Sequence, residues 1–128
     1  MMTRMPNAFA IDGAIAAFTK GGPWLDALRT YLAENKNFVK EYLEEHLPQV
    51  KAVVSHATYL VWLDFSAVTE DAGQLSRHIR KETGLFMMPG IEYGSNGKAF
   101  TRLNIACPRA VLADGLERLV KGVNTYGA

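Results

Sequence analysis

The sequence predicts an α+β fold: a small, mostly antiparallel sheet with helices packed on one face, preceded by a long helix. Three observations predict it. Residues 7–46 carry apolar side chains at helical spacing. Residues 50–107 hold runs of β-branched and aromatic residues, interrupted by one helical stretch. After Pro108 a second helical pattern closes the chain. Helices first, then strands interleaved with a helix, is the order of a segregated α+β domain.

Asn7–Thr19 is alanine-rich, with Phe9, Ile11, Ile15 and Phe18 apolar, and reads as a short helix ended by Gly21-Gly22. Pro23 suits the first turn of a second helix reaching about His46, before Pro48. Leu25, Leu28, Leu32, Val39, Tyr42 and Leu43 give it one apolar face. Val50–Val54 and Thr58–Phe65 read as strands, Ser66–Asp71 as a turn, and Ala72–Thr83 as a helix with Leu75 and Ile79 inward and Gly84 as C-cap. Leu85–Met88 is a short apolar strand, Glu92–Lys98 a glycine-punctuated loop, and Phe100–Cys107 the last strand. In the closing helix Val111, Leu112, Leu116, Leu119, Val120 and Val123 form the expected buried face. One domain is expected, with residues 1–22 as a helical extension and 23–128 as its body.

Composition narrows the function classes. The 128 residues are 48% hydrophobic and 21% charged, ordinary for a globular domain. Fourteen basic against thirteen acidic residues leave +1, so no broad field recruits nucleic acid or anionic lipid. Cys107 is the single cysteine, which excludes an internal disulfide and fits a reducing cytoplasm. No apolar run approaches the roughly 20 residues that span a bilayer, and Met1–Pro6 makes a poor signal peptide.

Of the residues able to carry chemistry, Arg102 stands out. Strand alternation puts Phe100, Arg102, Asn104 and Ala106 on one face, and Thr101, Leu103, Ile105 and Cys107 on the other, the natural core face. Arg102 and Asn104 then project together beside the Glu92–Lys98 loop, where a guanidinium can grip a carboxylate at two points. Spacing alone favours an exposed arginine with no specific task. His46, His56 and His78 lack metal-ligand spacing, and Cys107 has no histidine partner, so a buried structural thiol is expected. Glu34, Glu41, Glu44 and Glu45, beside Lys36 and Lys40, look like a solvated helix face. Gly90–Gly94 is too short for a phosphate loop. A lysine forming a Schiff base should be partly desolvated, and Lys20, Lys36, Lys40, Lys51, Lys81, Lys98 and Lys121 all sit in polar, turn or helix-surface contexts.

Three runs carry a resemblance: Thr58–Phe65, Met88–Gly94, and Arg102-Leu103-Asn104-Ile105-Ala106-Cys107-Pro108-Arg109. With Pro6-Asn7-x-Phe9 and Trp24-Leu25-Asp26-x-Leu28, they resemble the C-terminal part of fold-type I pyridoxal-phosphate enzymes of the class I/II aminotransferase superfamily. The nearest branch is that of cystathionine β-lyase and related C–S lyases. The similarity covers nearly the whole chain from Pro6, and the run from Arg102 is its most specific piece.

The resemblance implies that Arg102 binds the substrate α-carboxylate, with Tyr93 and the Pro89–Gly94 loop lining the entrance and Asn104 beside them. It implies that pyridoxal phosphate sits in the parent enzyme's large domain, which supplies the Schiff-base lysine, and that this chain alone binds no cofactor and is catalytically silent. The expected partners are that large domain, in the same or a separate chain, and an amino-acid carboxylate; a homodimer is allowed for. Transaminase and β-lyase chemistry both stay open. The rival expectation is a stand-alone binding or interaction domain of the same fold. A piece of an enzyme should expose apolar residues on Asn7–Thr19 and Trp24–His46, where a stand-alone domain should be polar or self-associate.

Overall fold

The computed structural model describes residues 5–53 and 55–127. Met1–Arg4, Val54 at the end of the expected Val50–Val54 strand, and Ala128 lie outside the described residues. The chain divides into two compact units, the first ending at Ala33 and the second running from Glu34 to Ala128.

The first unit holds helix α1 (Ala8–Lys20) and the opening turns of α2 (Gly22–His46). Asn7 caps α1, its Oδ1 accepting from the Ala10 amide at 2.8 Å. No residue of α1 is buried; Phe9 is 89% and Phe18 93% exposed, and Trp24 in α2 is 70% exposed. Leu25, expected on the inward stripe of α2, is exposed too.

The second unit carries the sheet. Its strands are β1 (Lys51–Ala52), β2 (Leu60–Asp64), β3 (Met88–Pro89) and β4 (Phe100–Asn104), in the order β1-β2-β4-β3, with every pair antiparallel. The strands are shorter than the sequence runs, for local reasons. Thr58 adopts a left-handed φ of 64°, so regular pairing begins only at Leu60. At the other end, Asn104 Oδ1 accepts from the Ala106 amide at 2.9 Å, and this side-chain turn stops β4 three residues early. Instead of Leu85–Met88, the ladder takes Met88 and Pro89, which oppose Arg102 and Thr101.

Helix α3 (Ala72–Thr83) has the expected bounds. Asp71 caps it by accepting from the Gly73 and Gln74 amides, and Gly84 closes it in the left-handed conformation. Helix α4 (Arg109–Asn124) follows Pro108. One core joins Val39 and Leu43 of α2, Leu75 and Ile79 of α3, and Leu112, Leu116, Leu119 and Val123 of α4 to Val61, Leu63, Thr101 and Leu103 of the sheet and Ile105 just after it. Val111, expected inward, is 58% exposed because it precedes the 112–116–119–123 stripe. Val120 is half-buried at its edge.

The buried residue that breaks the apolar pattern of α2 is Asn35. It is fully buried, and its Nδ2 donates to the carbonyls of Ile105 (2.9 Å) and Cys107 (3.1 Å). The chain leaving β4 is thereby tied to the helix, with its orphaned carbonyls satisfied.

Candidate functional site

The inner face of β4 is core, so alternation leaves Phe100, Arg102 and Asn104 on the outer face, as the sequence predicts. Arg102 faces two strands at once: Trp62 of β2 opposes it on one side and Met88 of β3 on the other. Its guanidinium carbon lies 4.7 Å from the centre of the Tyr93 ring, a cation–π stack. Among the described residues, no carboxylate lies within ion-pair distance of that guanidinium.

Tyr93 reaches Arg102 because of the loop that carries it. Residues 90–93 and 95–97 form two tight 3-10 turns, hinged at Gly94 with φ 138°. Gly90 and Gly97 press backbone to backbone, and a Cβ on either would strike the other's carbonyl oxygen. Only glycines permit that approach. The loop thus has a pinched base, with Tyr93 half exposed at its rim. Aromatic neighbours continue from it: Trp62 stands at 89° to Tyr93 with centroids 5.4 Å apart, and at 86° to Phe100 at 6.3 Å.

Asn104 projects from the same face and is exposed, its Oδ1 engaged with the Ala106 amide. The structure therefore brings Arg102 and Tyr93 into contact and sets Asn104 along the strand from them. Sequence reading missed Trp62. Its place in the Thr58–Phe65 strand was legible, but the register setting it opposite Arg102 was not.

The other titratable groups take structural parts. His46 stacks on Tyr42 at 4.1 Å, and His78 meets the Thr125 hydroxyl at 3.0 Å. Among the described residues no group of three His, Cys, Asp or Glu could hold a metal. Cys107 is half-buried rather than buried, and burial pushes its thiol pKa up, away from a reactive thiolate. Lys40 pairs with Glu44 and Arg109 with Glu34, both partly exposed contacts at 3.8 Å. Every lysine except Lys36 is exposed, and Lys36 donates to the carbonyls of Ser55 and Ala57. Among the described residues, no helix is long and apolar enough to cross a membrane.

No protein-family model matches the chain. Curated proteins and solved structures do. Cystathionine beta-lyase PatB of Bacillus subtilis is 44% identical over 113 residues, covering 88% of this chain and 29% of its own length. Protein MalY of Escherichia coli is 35% identical over 118 residues, covering 92% of this chain and 30% of its own. A PLP-bound putative aminotransferase from Clostridium difficile superposes with a TM-score of 0.91 at 30% identity, over 95% of this chain and 32% of that one. A PLP-bound C–S lyase from Staphylococcus hominis, complexed with the inhibitor L-cycloserine, superposes with a TM-score of 0.86 at 30% identity, over 94% and 30%. The chain thus spans about 30% of the length of the curated relatives it matches. In sequence and in fold, it is homologous to the C-terminal domain of the fold-type I pyridoxal-phosphate enzymes, in the branch of the cystathionine β-lyases and other C–S lyases.

Proposed function

We propose that this chain is the carboxylate-clamping domain of a pyridoxal-phosphate-dependent C–S β-lyase, acting with a large domain that holds the cofactor and the Schiff-base lysine. The observation that carries the reading is Arg102: a guanidinium on the outer sheet face, stacked on Tyr93, with no carboxylate of the described residues paired to it. A cation–π contact engages no hydrogen-bond acceptor, so the N–H donors of the guanidinium stay available to an α-carboxylate. Two-point capture fixes both the position and the tilt of the substrate, which is the orientation a β-elimination needs at Cα. Tyr93 and the Gly90–Gly97 loop line the entrance, and Asn104 supplies a further polar group on the same face.

The relatives' names favour lyase over transaminase, and the exposed Phe9, Phe18 and Trp24 support a large-domain partner. The relatives are enzymes about three times this length, which lends no support to the stand-alone binding alternative. A cytoplasmic setting accords with the single cysteine. A chimera tests the reading: the matching segment of the Bacillus relative is replaced by this chain and pyruvate release from cystathionine is followed. Activity is expected, and Arg102→Ala should raise KM about tenfold to a hundredfold, the loss of a hydrogen-bonded charge pair. An unchanged KM in Arg102→Ala would remove the clamp assignment.

A further inference from the structure

We infer that Trp62 is a positioning residue, whose indole, acting through the Tyr93 ring, holds the Arg102 guanidinium in one orientation before any ligand arrives. The inference rests on Arg102 as the carboxylate clamp, but its geometry stands apart from that reading. Tyr93 is 49% exposed and sits on a loop rim. At such exposure, a cation–π contact is comparable to thermal energy and cannot by itself keep an arginine in one rotamer. Something has to keep the tyrosine ring from swinging away.

Trp62 meets that need. It is half-buried, directly opposite Arg102 in the β2–β4 ladder, and therefore projects from the same face. Its ring stands edge-on to Tyr93 at 5.4 Å, the preferred aromatic arrangement, and is itself seated against Phe100. The outer face thus reads as a row of rings, from Phe100 through Trp62 to Tyr93, that ends on the guanidinium. The close approach of Gly90 and Gly97 pins the base of the loop that carries Tyr93, and the Trp62 ring, 5.4 Å away at 89°, is the aromatic neighbour against which the tyrosine ring rests. Ordering the long arginine side chain in advance reduces what substrate binding must spend on it.

The test is NMR of the 128-residue chain, observing the Arg102 Nε–Hε resonance, which the tyrosine ring current moves upfield. Trp62→Val, a residue suited to a strand, should return that resonance to the position seen in Tyr93→Leu. Trp62→Phe should keep most of the shift. An upfield Arg102 signal preserved in Trp62→Val overturns the inference, as does its equal loss in Trp62→Phe. Titration of the wild-type chain with L-alanine separates the two readings: an Arg102 resonance that ignores L-alanine removes the clamp and leaves the ring effects of the variants intact. In the active chimera, Trp62→Val should raise KM roughly threefold to tenfold with kcat within about twofold, the signature of lost preorganisation. Equal falls in kcat with no change in KM would also count against it.

Discussion

Asn35 and Arg109, 74 positions apart, are joined by a 2.7 Å hydrogen bond from the arginine Nε to the asparagine Oδ1. The carboxamide thus works in both directions at once, accepting from α4 and donating to the two carbonyls that follow β4. Arg109 also lies over the Phe38 ring at 5.0 Å, so the start of α4 is anchored to α2 by charge, hydrogen bond and ring together.

Replacement of Asn35 should therefore cost far more than an ordinary helix substitution. Asn35→Ala leaves the Ile105 and Cys107 carbonyls without their donor, and stability should fall by roughly 2–4 kcal/mol. Asn35→Asp should not restore it, since a carboxylate cannot donate to either carbonyl. Urea unfolding followed by circular dichroism gives both values.

A charge at position 102 is not enough for the proposed clamp. Arg102→Lys keeps the cation but loses the planar fork and the stacking surface. In the active chimera it should raise KM for the amino-acid substrate by about tenfold, as one charged hydrogen bond is lost. A lysine variant with wild-type KM would mean that the site reads charge alone.

The elements most legible in the sequence are those specified locally. Helix α3 has its own start in Asp71 and its own stop in Gly84, both within a residue or two of the ends they set. The two faces of β4 follow from alternation, and that was enough to put Arg102 outward. What depends on distant partners was not legible. Asn35 interrupts an apolar stripe, and helical spacing cannot reveal that its partners are carbonyls 70 and 72 positions away. The Glu92–Lys98 loop could be placed near Arg102, but the Tyr93 stack depends on the Gly90–Gly97 contact, which no short-range rule supplies. The strand ends were overrun because a threonine in a left-handed conformation and one asparagine turn outweigh the β-rich composition around them.

Thr58 offers a direct test of that conflict. A β-branched residue at φ 64° is strained, while its Oγ1 accepts from the Leu60 amide at 3.2 Å. Asparagine tolerates the left-handed region and can make the same kind of side-chain turn. Thr58→Asn should stabilise the chain by about 1 kcal/mol, raising Tm by roughly 3–6 °C in a thermal scan.

Acid should loosen the start of α3 through Asp71. The Gln74 amide, then the Gly73 amide, and the nearby Lys98 and Arg77 charges hold its carboxyl below the usual carboxylate range. A folded-state pKa below the unfolded one gives a contribution that is complete above the ordinary value of about 4 and lost as pH falls through the folded value. Asp71→Asn keeps a capping oxygen but removes the charge. The variant should be less stable than wild type at pH 7, and the gap should narrow below pH 4 when unfolding is compared across pH.

The loop that carries Tyr93 is closed at its neck by two glycine backbones, while residues 91–96 beyond the neck are all exposed. Such an arrangement separates anchorage from content. Apart from Tyr93 and the positive-φ Gly94, what stands between Ile91 and Asn96 should be open to exchange without disturbing the strands on either side, because the neck rather than the tip fixes where the loop leaves the sheet. Selection for a new substrate would find its raw material there: a replaceable rim on a fixed stem, a few ångströms from an arginine that need not change.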